Sequence, residues 1–205
     1  IVKTETDVII ICIAEFRKQF DIRLAVLRLI SNEINRSHIK GSVAELGVYR
    51  GEFAAEISRL FPDRKIYLFD TFEGFDEGDL EIEKENNYFG NLNLKFSNTG
   101  IDIVKERLAY PGQALFRKGY FPETGIGLNE EFALVSLDAD LYKPTYEGLK
   151  FFYPRMSRGG YIILHDYNNS QFRGAGAAVS QFCRENGIYV VPICDLHGSA
   201  VIVKP

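Results

Sequence analysis

Short apolar runs alternate with amphipathic stretches along most of the chain. That alternation predicts an α/β fold built on a mostly parallel sheet, with helices on both faces. Seven runs read as strands: residues 43–46, 66–69, 114–117, 132–137, 161–164, 188–191 and 200–203. The last two are joined by a loop containing Gly198, so they are expected to form an antiparallel hairpin. Helical spacing is expected over 7–20 and over 22–35, where Leu24, Leu27, Ile30 and Ile34 fall on one face. Further helices are predicted over 52–61, ended by Pro62, and over 101–109, 144–152 and 175–186. The organisation expected is an N-terminal helical segment over residues 1–40, packed on the core of a single domain over residues 41–205.

One stretch fits neither period. Residues 76–98 open with the acids Asp76, Glu77, Asp79, Glu81, Glu83 and Glu85 against a single Lys84, and the aromatics Tyr88, Phe89 and Phe96 follow. Long irregular segments in compact domains serve as lids or binding loops, or else as solvated insertions. Both readings stay open here.

At 205 residues the chain is long enough for one domain with a full core. A formal charge of −4 gives no support for a nucleic-acid partner, which needs a basic face. Cys12, Cys183 and Cys194 are odd in number and form no C-x-x-C pair, so they read as small buried hydrophobes in a reducing, cytoplasmic setting. The apolar run 8–14 is far shorter than the roughly 20 residues a bilayer span takes, and no membrane partner is expected. The first residue is Ile1 rather than Met, which leaves room for a larger parent chain.

Candidate chemistry gathers at predicted strand ends. The first strand runs into Glu45-Leu46-Gly47-Val48-Tyr49-Arg50-Gly51, a glycine loop opening a helix, where free N–H groups can meet a ligand. Its G-x-x-x-G spacing departs from the G-x-G-x-x-G of a dinucleotide site and disfavours a pyrophosphate-bearing cofactor. The second strand ends in Asp70, about 20 residues on, where an acid can accept the ribose hydroxyls of an adenosine. The fourth runs into Asp138-Ala139-Asp140 and the fifth into His165-Asp166. In an open parallel sheet these positions share the rim outside the carboxyl ends of the strands. Acids collected there repel one another unless a cation, hydrogen bond or proton intervenes. Asp138, His165 and Asp166 could hold a divalent cation, and Asp140 or His165 could take a proton from a hydroxyl. An alternative is that these acids cap the helix beginning near Pro144.

These segments resemble the macrocin and mycinamicin sugar O-methyltransferases. The resemblance is carried by 43–51, by Phe69-Asp70-Thr71-Phe72-Glu73-Gly74-Phe75, by Lys118-Gly119-Tyr120-Phe121-Pro122-Glu123-Thr124, by 137–142 and by 159–167, in that order, and covers about 21–205. It implies a Rossmann-like class I methyltransferase sandwich that transfers methyl from S-adenosylmethionine to a hydroxyl of a sugar or glycosylated small molecule. It implies Asp138 as a metal ligand and Asp140 as general base. Donor contacts are implied at Glu45, Gly47, Val48, Tyr49, Gly51, Asp70, Thr71, Asn98, Gly119 and Tyr120. Where the family carries paired acids after the fifth strand, this chain has His165-Asp166. The cofactors expected are therefore S-adenosylmethionine and magnesium or another divalent cation, with a metal-free site using His165 as base as the other outcome. The partners expected are a small-molecule acceptor and, as an open case, further copies of the chain. Two other functions stay in view: an NAD- or nucleotide-sugar-binding oxidoreductase, and a non-catalytic nucleotide-binding domain.

Overall fold

The computed structural model describes residues 21–88, 96–195 and 197–205. The helix expected over 7–20 lies outside the described residues. The chain enters as α1 (Ile22–Arg36), capped by Asp21, whose carboxylate accepts from Leu24 N–H. Then follow β1 (Ser42–Leu46), α2 (Glu52–Leu60), β2 (Ile66–Asp70), α3 (Glu77–Glu85), α4 (Ile101–Arg107), β3 (Ala114–Lys118) and β4 (Phe132–Leu137). After these come α5 (Tyr142–Phe152), β5 (Met156–Leu164), α6 (Arg173–Asn186), β6 (Val191–Pro192) and β7 (Ala200–Val203).

The seven strands form one sheet in the order β3-β2-β1-β4-β5-β7-β6. All neighbours from β3 to β5 are parallel, while β7 runs antiparallel to both β5 and β6. The order reverses between β1 and β4, the crevice where open α/β sheets bind ligands. Alternation along each strand feeds two cores. Ile66 and Leu68 face one way, packed with Leu27, Ile30 and Ile34 of α1 and Ile57 of α2. Tyr67 and Phe69 face the other, packed with Leu149 and Phe152 of α5 and Phe182 of α6. Both cores are essentially dry, so the sheet is clamped on both faces.

Three expectations change. The fifth strand starts at Met156, five residues early, because Phe132 still pairs with Met156 across a register shift. The sixth strand shrinks to Val191–Pro192. Helix α6 closes on Gly187 in the left-handed conformation, Ile188 N–H donates to Cys183 O, and Ile188 and Val190 pack into the core instead of pairing. Pro192, which has no N–H, sits on the sheet edge.

The third change is in 76–98, which contains α3. Asp76 caps it by accepting from Gly78 and Asp79 N–H, and Glu77 and Asp79 suit the positive end of the helix dipole. Its buried positions are the acids Asp79 and Glu83, one turn apart. Glu83 is fully buried and accepts from Tyr142 N–H at 2.6 Å, capping α5 from outside its own sequence neighbourhood. Its carboxylate also presses on α6, where a Cβ at Gly174 would lie 2.4 Å from its oxygens. Asp79 accepts from Tyr120 O–H at 2.7 Å.

Burial pushes the Glu83 carboxyl up to about 7; the Tyr142 N–H opposes this and the Asp79 charge adds to it. A raised folded-state value means that stability is full below the unfolded value of 4.5 and falls as pH rises through about 7. Glu83→Gln should flatten that part of the stability-versus-pH curve, worth on the order of 3 kcal/mol in wild type, in urea titrations across this range.

Candidate active site

Three ladder hydrogen bonds bring the strand ends level. Gly47 N–H donates to Phe69 O (3.0 Å), Asp138 N–H to Leu46 O (2.8 Å) and His165 N–H to Leu137 O (2.9 Å). The residues after β2, β1, β4 and β5 thereby line one rim, over a cavity of about 550 Å³. Of the fourteen sequence-expected site residues, all but Gly51 and Asn98 line it.

The glycine loop is shaped by the protein's own backbone. Gly47 has φ +85, and a Cβ there would lie 1.9 Å from the Asp138 carbonyl oxygen. Gly51 has φ +80 and sits 2.9 Å, measured to its would-be Cβ, from Val104 of α4. Only glycine meets both the left-handed conformation and this closeness. Asp70 fastens the loop from the side. Its Oδ2 accepts from Val48 N–H (2.7 Å) and Tyr49 N–H (2.8 Å), and its Oδ1 from Phe72 N–H (2.7 Å). Thr71 ties its hydroxyl to Gly74 O within its own turn. Asn98 lies off the cavity and accepts from Tyr49 O–H at 2.7 Å. Tyr120 is held by Asp79, as above, with Lys143 over its ring.

At the centre of the rim, Asp138, Asp140, His165 and Asp166 bring one ligand atom each to within 4.8 Å of one another. His165 Nδ1 lies 2.8 Å from Asp138 Oδ1 and 2.7 Å from Asp166 Oδ2. Asp166 is 1% exposed, and its other oxygen accepts from Asn169 Nδ2. Asp140 and Asp166 both adopt left-handed backbone, at φ 59 and 55. A tight turn in which Leu141 N–H donates to Ala139 O brackets Asp140. Non-glycine residues in this region concentrate where the surroundings impose it, active sites above all. Neither acid caps α5: the cap residue is Leu141, without a side-chain bond.

The charges oppose one another. Burial would raise Asp138, but the Arg23 and His165 charges outweigh it and hold the carboxyl well below the usual range. Burial would lower His165, but the charge of Asp138 and hydrogen bonds to Asp138 and Asp166 push it up to about 9. Asp140 goes strongly upward through burial and through the charges of Asp138 and Asp166. Glu45, inside β1, also rises well above the carboxylate range by burial, partly countered by Arg23.

Sequence reasoning missed two residues here. Arg23 of α1 donates from Nη2 to Asp138 Oδ2 at 2.8 Å. A signal existed: Arg23 precedes Leu27, Ile30 and Ile34 at helical spacing, a cation on the buried stripe. His197, to which no role was given, lines the cavity with its ring 5.0 Å from that of His165.

Comparison with known proteins places this architecture. The family described as macrocin-O-methyltransferase (TylF) matches residues 20–204. The chain belongs to the macrocin-O-methyltransferase family. It is accordingly an enzyme of the methyltransferase class, the class that uses S-adenosylmethionine. Among curated relatives, it is 28% identical to a Streptomyces olivaceus 8-demethyl-8-(2,3-dimethoxy-alpha-L-rhamnosyl)-tetracenomycin-C 4'-O-methyltransferase, covering 87% of this chain and 71% of that one. It is 30% identical to the mycinamicin III 3''-O-methyltransferase of Micromonospora griseorubida, over 64% of this chain and 57% of that relative. Against the solved structure of the O-methyltransferase NovP the TM-score is 0.72 at 21% identity, covering 89% of this chain and 79% of that one, a likeness of fold. Among the described residues, no helix of this macrocin-O-methyltransferase family member is long and apolar enough to cross a membrane.

Asp70→Ala would strip acceptors from three backbone N–H groups. The variant is expected to lose about 2–4 kcal/mol of stability with no donor present, measured by thermal and urea unfolding.

Proposed function

We propose that this chain transfers the methyl group of S-adenosylmethionine to a hydroxyl on the sugar of a glycosylated small molecule. The observation that carries this is the meeting, at the reversal point of the sheet, of a loop fastened by Asp70 and the cluster of Asp138, Asp140, His165 and Asp166. The curated relatives are named for methylation of a rhamnosyl tetracenomycin and of mycinamicin III, which supports a glycosylated acceptor.

In this reading Glu45 and the loop at Gly47, Val48 and Tyr49 receive the donor, with Asp70 and Thr71 beside the ribose and Gly119 and Tyr120 beside the adenine. Gly51 and Asn98 act at one remove: Gly51 starts α2, and Asn98 orients Tyr49 through its hydroxyl. The chain's work is mainly alignment, because in-line transfer needs acceptor oxygen, methyl carbon and sulfur held together.

The acidic cluster fits a divalent cation. Three carboxylates and one imidazole converge within 4.8 Å, a mixed oxygen and nitrogen donor set. Asp138, His165 and Asp166 would hold it, with the cation competing for the His165 nitrogen against the proton that nitrogen now carries. When bound, such an ion supplies Lewis acidity that lowers the pKa of a neighbouring hydroxyl. Asp140 is placed to take the hydroxyl proton. His165 Nδ1 is already engaged by two carboxylates, which leaves Asp140 for this role. The cysteines were expected to be buried, but Cys183 is half-buried and Cys194 exposed, and both carry free thiols.

Calorimetry should detect S-adenosylmethionine and not NAD; the reverse result would sink the reading. A methyl-transfer screen against free sugars and glycosides, with and without magnesium, should yield turnover on a glycoside. Asp140→Asn should lower kcat by about 10²–10⁴-fold. Turnover indifferent to a chelator would remove the cation and return His165 to the role of base.

A further inference from the structure

His165 sets a nitrogen among the oxygens of the rim. Its backbone N–H is tied to Leu137 O at the end of β5, and its side chain is largely buried. Each neighbouring carboxylate has one oxygen committed elsewhere. Asp138 Oδ2 accepts from Arg23 Nη2, and Asp166 Oδ1 accepts from Asn169 Nδ2. The other oxygen of each, Asp138 Oδ1 and Asp166 Oδ2, faces His165 Nδ1 at 2.8 and 2.7 Å. His197 lies along the imidazole, with ring centroids 5.0 Å apart. The donor set therefore contains two single carboxylate oxygens and one imidazole nitrogen, and each of the three residues is pinned by a second contact. Asp140 brings a further carboxylate within 4.8 Å.

A cation drawn to those two oxygens meets the nitrogen as well. Magnesium takes oxygen donors and gives up its water reluctantly, so the imidazole offers it little. Its remaining attraction is charge, and Arg23 already shares the charge of Asp138. First-row transition dications accept imidazole readily, with affinity rising along the series from manganese. The ring is not free to step aside, because the strand end fixes its backbone and His197 stands next to it. We propose that His165 makes this rim a site for a first-row transition dication, of the manganese(II) or cobalt(II) kind, in preference to magnesium. This rests on the reading that the cluster holds a divalent cation, and it adds the class of ion and the residue that chooses it. Asp138 and Asp166 supply the attraction common to all dications, and His165 supplies the discrimination.

The test measures binding of the metals alone to chelator-stripped protein. By calorimetry, wild type should take one cobalt(II) ion on the order of 1,000-fold more tightly than magnesium. His165→Glu, which exchanges the nitrogen for oxygen, should shrink that ratio by about 30-fold or more, through weaker cobalt and stronger magnesium binding. A second readout is direct. Pulsed electron paramagnetic resonance of the manganese(II)-loaded protein should show coupling to an imidazole nitrogen, lost in His165→Glu and kept in His197→Ala. The wild-type and His197→Ala spectra carry the test if His165→Glu does not fold. Magnesium bound as tightly as cobalt, no nitrogen coupling, or a metal ratio unchanged in His165→Glu would overturn the proposal. Failure of wild type to bind any of the three ions would instead overturn the cation reading on which it stands.

Discussion

Everything at the rim depends on the register of β1 with its two neighbours. Leu46 stands beside Phe69 on one side and Leu137 on the other, and Leu137 stands beside Leu164. The next peptide in each strand therefore emerges at the same height. A shift of one residue would turn every side chain to the opposite face and separate the acids. The register is strongly specified because β1 and β4 are buried throughout, and a slip would move a whole set of apolar side chains between two filled cores. Gly47 is the local cost of this arrangement. The backbones of β1 and β4 come so close beyond their last ladder bond that no side chain fits there.

Alignment concentrates negative charge, and the fold answers it with a few fixed positive groups. Asp138 sits between Arg23 and His165, each at 2.8 Å, which offsets the desolvation of a carboxylate that the cavity wall would otherwise penalise. Asp166 shares the same imidazole nitrogen. Asp140 makes no ion pair among the described residues and is the member whose proton affinity climbs, with the Arg23 charge only partly opposing it. One cluster thus holds a depressed carboxyl and a raised one, separated by which of them the guanidinium reaches. That divergence is what allows chemically similar side chains to take different roles.

Local sequence made most of this legible. An apolar run followed by an acid marks a strand and its end at once, so Asp70, Asp138 and Asp166 were readable, and so was the glycine loop. What stayed hidden depends on distant partners. Helix α3 escaped because its buried face carries Asp79 and Glu83, where periodicity looks for apolar residues. Those acids accept from Tyr120 O–H and Tyr142 N–H, 41 and 59 positions away. Gly174, one residue ahead of the helix expected over 175–186, is the complement of Glu83. The sixth strand failed for a related reason, since Ile188 and Val190 are apolar for the sake of the core and not of a ladder.

Arg23 shows what this means for the N-terminal segment. The pattern along the chain reads residues 1–40 as a helical segment packed on the core of the domain over 41–205. Within α1, Leu27, Ile30 and Ile34 are 0–6% exposed in the same core as Val43, Ile57 and Leu134. From the first turn of that helix, Arg23 reaches across 115 positions of sequence to Asp138. Moving α1 away would uncover one core and also remove the guanidinium from the acidic cluster. Asp138 would then face His165 alone, with its desolvation less well offset. The helix that packs on the core is therefore also part of the electrostatics of the rim.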